Sequence, residues 1–103
     1  MNHIQSQTMQ MAKDYSLNAD PMTRFADIAS EIGELGKELV KSSNYGTQPV
    51  VVTDGIKMEF GDVLFCLALF ANEMGVDMDE CFKMTQAKMK QRFDKKGYIS
   101  SDN

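Results

Sequence analysis

Apolar side chains recur with the period of an α-helix through most of this chain, and turn-forming residues separate the periodic stretches. Asp20 and Pro21 have the form of a helix N-cap followed by proline at the first helical position, and Gly75 and Gly97 are typical of helix ends. Only Val50–Val52 hints at a strand. The pattern predicts an all-α fold with helices over residues 3–17, Pro21–Lys41, 54–74 and 77–97.

The apolar positions of these helices predict how they pack. The stripes expected to be buried on the second and fourth helices are Phe25, Ile28, Ile32, Leu35 and Leu39, and Met78, Phe82, Met89 and Phe93. The third helix is apolar on every side between Val63 and Ala71, and such a helix must be buried all round. We therefore expect one domain over residues 1–103, a four-helix up-down bundle that assembles into a homodimer or homotetramer along the third helix.

The stretch Ser42–Thr53 is the one substantial predicted loop. Asn44-Tyr45-Gly46 has the chemistry of a turn, and Pro49 is followed by three valines. About a dozen residues is long for a connection in a small helical domain. The loop is either a flap over a substrate or a plain connector, and the sequence leaves both interpretations open.

Two short acidic motifs, Glu31-x-x-Glu34 and Glu59-x-x-Asp62, lie on the second and third predicted helices. Residues three apart share one helix face, so each motif presents its carboxylates side by side. Two carboxylates about 5 Å apart repel by roughly 3 kcal/mol at an effective dielectric of about 20. Exposure to solvent would relieve that repulsion, and so would a divalent cation. Carboxylate oxygens suit Mg²⁺, whereas iron is disfavoured because no histidine lies near these acids.

Each acidic motif also encloses a glycine, Gly33 or Gly61. Glycine inside a helix costs about 1 kcal/mol relative to alanine, so its presence at equivalent places suggests close packing. Gly33 projects away from the acids, beside Ala29, Gly36 and Val40. This strip of small residues predicts a helix contact, and the glycines are interpreted as structural.

Charge is distributed unevenly along the chain, although its formal net value is only -4. Residues 1–82 hold 13 acidic side chains against 5 Lys or Arg, whereas residues 83–97 hold 6 basic side chains against 1 acid. An acidic body with one basic helix is able to bind a metal ion and a phosphate together, although a solvated charged helix has the same composition. The net acidic charge disfavours nucleic acid as a partner.

The cysteines and the apolar runs indicate the cellular compartment in which the protein is expected. Cys66 and Cys81 lie in apolar helical contexts and lack metal-type spacing, which indicates buried free thiols in a reducing compartment. The first residues lack the pattern of a secretory signal, and the longest apolar run, Val63–Ala71, is too short to span a bilayer. We therefore expect a cytoplasmic protein without membrane contact.

Four stretches, taken in order, resemble the MazG-like nucleoside triphosphate pyrophosphohydrolases, an all-α superfamily that includes dimeric dUTPases and phosphoribosyl-ATP pyrophosphatase. Two of them contain the acidic motifs, Glu31-Ile32-Gly33-Glu34-Leu35 and Glu59-Phe60-Gly61-Asp62-Val63-Leu64-Phe65. The other two are Gly75-Val76-Asp77-Met78 and Lys88-Met89-Lys90-Gln91-Arg92-Phe93. The resemblance covers about residues 22–97.

The resemblance implies a Mg²⁺-dependent enzyme that cleaves a nucleoside or deoxynucleoside triphosphate to the monophosphate and pyrophosphate, in nucleotide-pool housecleaning. The metal ligands it implies are Glu31, Glu34, Glu59 and Asp62. Lys88 and Arg92, four residues apart on one helix face, would contact phosphate oxygens. Either Glu34 or Glu38, which continues the acidic strip by one turn, would orient or deprotonate the attacking water.

The chain departs from the family pattern at Ser30, Cys66 and Thr85, where the family often has a glutamate, an aromatic residue and an asparagine. Ser30 affects a position for a third metal or a candidate base, and the other two bear on base or sugar recognition. Two alternatives stay open: a dUTPase- or dCTPase-type specificity within the superfamily, and a non-enzymatic helical module that binds a partner through the third helix.

Overall fold

A computed structural model of the protein describes residues 2–98. Within that range it contains no strand, and its helices are α1 (His3–Tyr15), α2 (Pro21–Ser42), α3 (Asp54–Met74) and α4 (Met78–Lys96). The all-α prediction is confirmed, and the predicted helix ends agree to within about two residues. None of the helices in this range is long and apolar enough to cross a membrane. The sequence after Gly97 also predicts a frayed polar tail over residues 98–103, of which residues 99–103 lie outside the described range.

Each helix begins after a residue whose side chain caps its first turn. The Asp20 carboxylate accepts a hydrogen bond from the backbone N–H of Thr23 at 3.0 Å and another from its hydroxyl at 2.7 Å. These bonds lower the pKa of Asp20. Thr53 Oγ1 accepts from the backbone N–H of Ile56 at 3.1 Å. At the other end of α3, Gly75 has a left-handed backbone (φ 69°), which glycine adopts at low cost.

α3 is the central helix of the chain, with α1 and α2 packed against it. It supplies the buried apolar residues, Ile56, Ala68, Leu69 and Ala71. Gln5 of α1 is fully buried, and its Nε2 donates to the Val76 carbonyl at 2.7 Å while its Oε1 accepts from the Met78 N–H at 2.9 Å. Gln5 therefore ties α1 to the turn between α3 and α4, where the direction of α4 is set.

α4 makes only marginal contact with the other helices, and none of its residues is buried. The radius of gyration is 16.8 Å, whereas a compact domain of this length has about 13 Å. Phe82 and Phe93, which the helical spacing predicts to be buried, are 62% and 58% exposed. The expected four-helix bundle is therefore not closed within one chain, because the apolar face of α4 has no partner helix among residues 2–98.

Apolar faces of α2 and α3 are also open to solvent. No residue of α2 is buried, and Phe25 and Ile32 of its predicted core stripe are both more than half exposed. Phe60, Leu64 and Leu67, spaced by four and three residues, line one exposed face of α3. The burial predicted on every side of α3 is thus not reached within a single chain.

The glycines of the acidic motifs make no close helix contact in the chain. A Cβ built on Gly33, Gly36 or Gly61 would meet no atom within 4 Å. The predicted contact along the small-residue strip of α2 is therefore wrong for the single chain, because that face of α2 does not meet another helix.

The loop between α2 and α3 is held at its ends by hydrogen bonds. The Ser42 hydroxyl donates to the Val51 carbonyl at 2.6 Å and accepts from the Val51 N–H at 2.8 Å. Asn44 and Tyr45 have left-handed backbones (φ 47° and 59°), and Tyr45 is exposed. A role of this loop as a substrate flap stays a prediction.

Candidate metal centre

The antiparallel register of α2 and α3 sets the positions of the two acidic motifs. Arg24 in the first turn of α2 donates to Glu73 near the end of α3, from Nε to Oε1 and from Nη2 to Oε2, both at 3.0 Å. At the other end of the pair, the Glu38 carboxylate lies against Gly55 in the first turn of α3. Because both ends are matched in this way, the middle of α2 faces the segment of α3 that carries the second acidic motif.

Three carboxylates from the two helices meet at this point. One oxygen from each of Glu31, Glu59 and Asp62 lies within 4.8 Å of the others. None of the three side chains is buried, so water has access to the cluster. An oxygen-only set of three acids that leaves room for water fits the coordination that Mg²⁺ prefers. The structure therefore brings together three of the four residues predicted to hold a metal.

The accumulated negative charge perturbs Glu59 in particular. Loss of solvent contact, and then repulsion from the acids around it, raises the pKa of Glu59. The acids are Asp62, Glu31, Glu34 and Glu38. A cation bound among these oxygens would act in the opposite direction and favour the ionised carboxylate.

The two remaining acids of the predicted site have different surroundings. The Glu34 side chain is 49% exposed, and its Oε1 lies 3.7 Å from Lys37 Nζ. Its charge acts on Glu59, but its oxygens are not part of the three-carboxylate group. The Glu38 side chain is 27% exposed, pairs with Lys41 at 3.6 Å and lies beside the first turn of α3. Glu38 is therefore the more enclosed of the two candidate bases.

Lys88 and Arg92 are not brought to the acids within one chain. Both belong to α4, which makes only marginal contact with α2 and α3. The Lys90–Asp94 ion pair of α4, at 3.0 Å, includes neither Lys88 nor Arg92. The two predicted phosphate ligands are thus separated from the acidic cluster, and their positive charges remain open to an anion.

Comparison with known proteins gives the class of domain. A family model described as the MazG nucleotide pyrophosphohydrolase domain matches residues 20–96. The chain belongs to this family. It is similar to the uncharacterized protein YpjD of Bacillus subtilis (strain 168), with 32% identity over 75 residues that cover 70% of this chain and 66% of that protein. No solved structure matches the chain significantly.

The family match confirms the resemblance predicted from the four motif stretches, and it includes both acidic motifs and the basic helix α4. The match to YpjD spans slightly less than two thirds of that relative's length. Membership in the MazG family therefore gives the class of domain, whereas the substrate and the assembly of this chain are inferred below from its residues.

Three residues that contribute to the packing of the helices were not identified from the sequence. Arg24 is only 11% exposed in its side chain and pairs with Asp27 at 3.2 Å as well as with Glu73. In the sequence, Arg24 could have been recognised as a single basic residue in the first turns of an otherwise acidic helix. The second residue is Gly55. It could have been recognised as a glycine in the first turn of a helix, where alanine is favoured. Gln5 carried no such signal, since glutamine is ordinary on an exposed helix.

Cys66 lies one turn beyond Asp62 on α3, close enough for the site's charges to act on it. Burial, followed by the negative charges of Glu31 and Asp27, raises the pKa of the Cys66 thiol. Cys66 Sγ is not among the clustered donor atoms, which are all carboxylate oxygens. Cys66 is half-buried and Cys81 is exposed, so the predicted burial of both thiols is wrong for one chain.

Proposed function

We propose that this chain hydrolyses a nucleoside triphosphate to the nucleoside monophosphate and pyrophosphate, with Mg²⁺ held by the acidic cluster. The observation that carries the proposal is the meeting of Glu31, Glu59 and Asp62 oxygens within 4.8 Å on a chain of the MazG family. Glu34, one turn from Glu31 on α2, is the fourth ligand. These acids repel one another without a cation, which gives the cluster a physical reason to bind one.

The chemistry divides between the bound ion and the residues of the chain. Mg²⁺ would supply charge neutralisation for the triphosphate and would lower the pKa of a water molecule. Glu38 or Glu34 accepts the proton of the attacking water. A new bond forms between the water oxygen and a phosphorus, the bridge between the α- and β-phosphates breaks, and pyrophosphate leaves with the electron pair of that bridge.

Lys88 and Arg92 bind the phosphate oxygens of the substrate. They lie four residues apart on one face of α4, and the guanidinium of Arg92 is able to hold two oxygens at once. Neither is engaged with the acids of its own chain, because α4 makes only marginal contact with α2 and α3. A second copy of the chain therefore supplies these bases to the acidic cluster.

Exposed apolar surface supports an assembly of that kind. Each of α2, α3 and α4 has an uncovered apolar face, which includes Phe25, Phe60 and Phe93. Exposed apolar surface on this scale in so small a chain favours burial between subunits. The protein is a homodimer or homotetramer in this proposal, with sites composed of acids from one chain and bases from another.

The main alternative uses of the fold differ in substrate. A dUTPase- or dCTPase-type specificity keeps the same cluster and changes only which base is accepted. Cys66 and Thr85, which depart from the family pattern, bear on that choice. A cytoplasmic location is part of this proposal, and the free thiols of Cys66 and Cys81 support it.

The experiment that tests the proposal measures pyrophosphate release from the common NTPs and dNTPs, including dUTP and dCTP, with Mg²⁺ and with a chelator. We expect release that requires Mg²⁺ and stops on chelation. If no triphosphate yields pyrophosphate under any of these conditions, the enzyme proposal is wrong. The exposed apolar face of α3 then favours a non-enzymatic module that binds a partner through that helix.

A further inference from the structure

Gly55 differs from every other glycine of the chain. It lies in the first turn of α3, and its φ is not positive, so its backbone makes no demand for glycine. Among the 7 glycines, it is the one at which an added Cβ would meet another atom within 4 Å. Glycine lowers the stability of a helix relative to alanine. The presence of glycine at a position with an ordinary helical backbone must therefore be explained by the atoms around it.

The surrounding atoms belong to Glu38. A Cβ on Gly55 would lie 2.8 Å from Glu38 Oε2 and 3.2 Å from Glu38 Cδ, and the first of these distances is shorter than a non-bonded contact allows. The next atom, Thr53 Oγ1, would be at 3.6 Å, which is an ordinary contact. The missing side chain of Gly55 thus makes room for one carboxylate oxygen.

Other groups hold the Glu38 carboxylate in the same place. Lys41 Nζ lies 3.6 Å from its Oε1. The first turn of α3 carries backbone N–H groups without helical partners and the positive end of the helix dipole, both of which favour a negative charge. Glu38, Lys41 and Gly55 also line an open cavity of about 360 Å³ together with Ser42 and Thr53. The Glu38 carboxylate therefore lies at the edge of a cavity that is open to solvent.

We infer that Gly55 is a positioning residue for Glu38, and that Glu38 is the group that takes the proton from the attacking water. The inference rests on the proposed function and chooses between its two candidate bases. Glu34 is half exposed and is held only by its neighbour Lys37. Glu38 is held on one side by Lys41 and on the other by the first turn of α3, and its charge reaches Glu59 in the acidic cluster.

Gly55→Ala separates a catalytic effect from a structural one. The atom that the new methyl group meets is the end of a flexible side chain, so the carboxylate moves and the helix does not. We expect kcat to fall by about 10-fold or more while KM changes by less than about twofold, because a shift near 1 Å in a reacting group costs this much. The melting temperature should stay the same or rise. Gly61→Ala is the matched control, in the same helix and with no atom within 4 Å.

The same substitution in a Glu38→Ala background completes the test. If Gly55 acts through Glu38, Gly55→Ala lowers kcat no further there, and it raises the melting temperature more than it does in the wild type. Full kcat in Gly55→Ala or in Glu38→Ala would overturn the inference, and so would an equal fall of kcat in both backgrounds. If the wild type releases no pyrophosphate, the proposed function is wrong, and this outcome is separate from the test of the contact. Equal melting-temperature shifts on Gly55→Ala in the two backgrounds would still disprove the contact between Gly55 and Glu38.

Discussion

The helix pair α2–α3 and the helix α4 differ in charge and in packing. α2 and α3 are packed together in antiparallel register, are joined by the Arg24–Glu73 pair, and hold the acids of the proposed metal centre. α4 carries Lys88 and Arg92, has no buried residue, and makes only marginal contact with the rest of the chain. Three of the four proposed metal ligands are therefore brought together in a single chain, whereas the proposed phosphate-binding bases are not brought to them.

This difference has a physical reason. Metal ligands must be held close together against their mutual repulsion, and only a packed helix pair with a fixed register does so within one chain. A basic helix that binds the phosphates of a substrate need only be brought to them when the subunits associate. An apolar face left open on the same helix supplies the free energy for that association.

The acids of the packed pair should control turnover. We expect Glu59→Gln and Asp62→Asn each to lower kcat about 10³-fold, because each removes a negative oxygen from the metal site while keeping the shape of the side chain. Circular dichroism should show an unchanged helix content. Glu80→Gln, an exposed acid of α4, is the control and should keep full activity. A variant that unfolds instead would assign its carboxylate a structural role.

The bases of α4 should act on the site of another chain. Arg92→Ala and Glu59→Gln should each be inactive alone, because each lacks one half of the site. When the two variants are mixed and allowed to exchange subunits, we expect recovery of about a quarter of the wild-type activity for a dimer, since half of the dimers then hold one intact site out of two. A mixture that stays inactive after proven exchange would place acids and bases in the same chain.

Gln5 should affect the direction of α4 through the turn before it. Gln5→Ala leaves the Val76 carbonyl and the Met78 N–H without their partners, and we expect the free energy of unfolding to fall by about 2–3 kcal/mol. Urea denaturation measures this change. Gln7→Ala on the exposed side of α1 is the matched control and should change it by less than about 0.5 kcal/mol. Equal decreases in the free energy of unfolding for the two substitutions would show that Gln5 does not have this role.

The smallest effect concerns the charge of Glu59 in the metal-free protein. The pKa of Glu59 is raised in the folded state. At pH values below its ordinary pKa, the carboxyl is protonated in both the folded and the unfolded state and does not lower the free energy of unfolding. As pH rises from the ordinary pKa to the raised one, the unfolded state loses its proton first, and the wild type loses stability relative to Glu59→Gln. Thermal melts with a chelator across this pH range measure the difference. Addition of Mg²⁺ at neutral pH should raise the melting temperature of the wild type and change that of the variant little.

Much of the fold could be predicted from local sequence. Asp20, Thr53 and Gly75 mark helix ends by interactions that span only a few residues, and the periodic apolar positions locate the helices between them. The predicted burial of Phe25, Phe82 and Phe93 is wrong for one chain. Periodicity shows that a face is apolar, but it does not show whether the same chain or another one covers it.

The candidate site divides in the same way. The acidic motifs and the basic pair Lys88 and Arg92 are visible in sequence because each depends on spacings of three or four residues along one helix. The contacts of Glu38 with Gly55, and of Gln5 with Val76, were not visible. They join residues far apart in the chain, and they depend on the rotation and register of packed helices, which no local pattern determines.

The sequence alone therefore determined the four helices of this protein, the two pairs of acids on neighbouring helices and the family to which they belong, because all of these are written in short-range spacing. No local pattern shows that Glu31, Glu59 and Asp62 meet, that Glu38 lies against a glycine, or that α4 makes only marginal contact with the helices that carry the acids; these are results of helix packing. Those outcomes follow from how α3 packs with α2 and α1, since a shift of one turn in that packing would separate the same residues by about 5 Å.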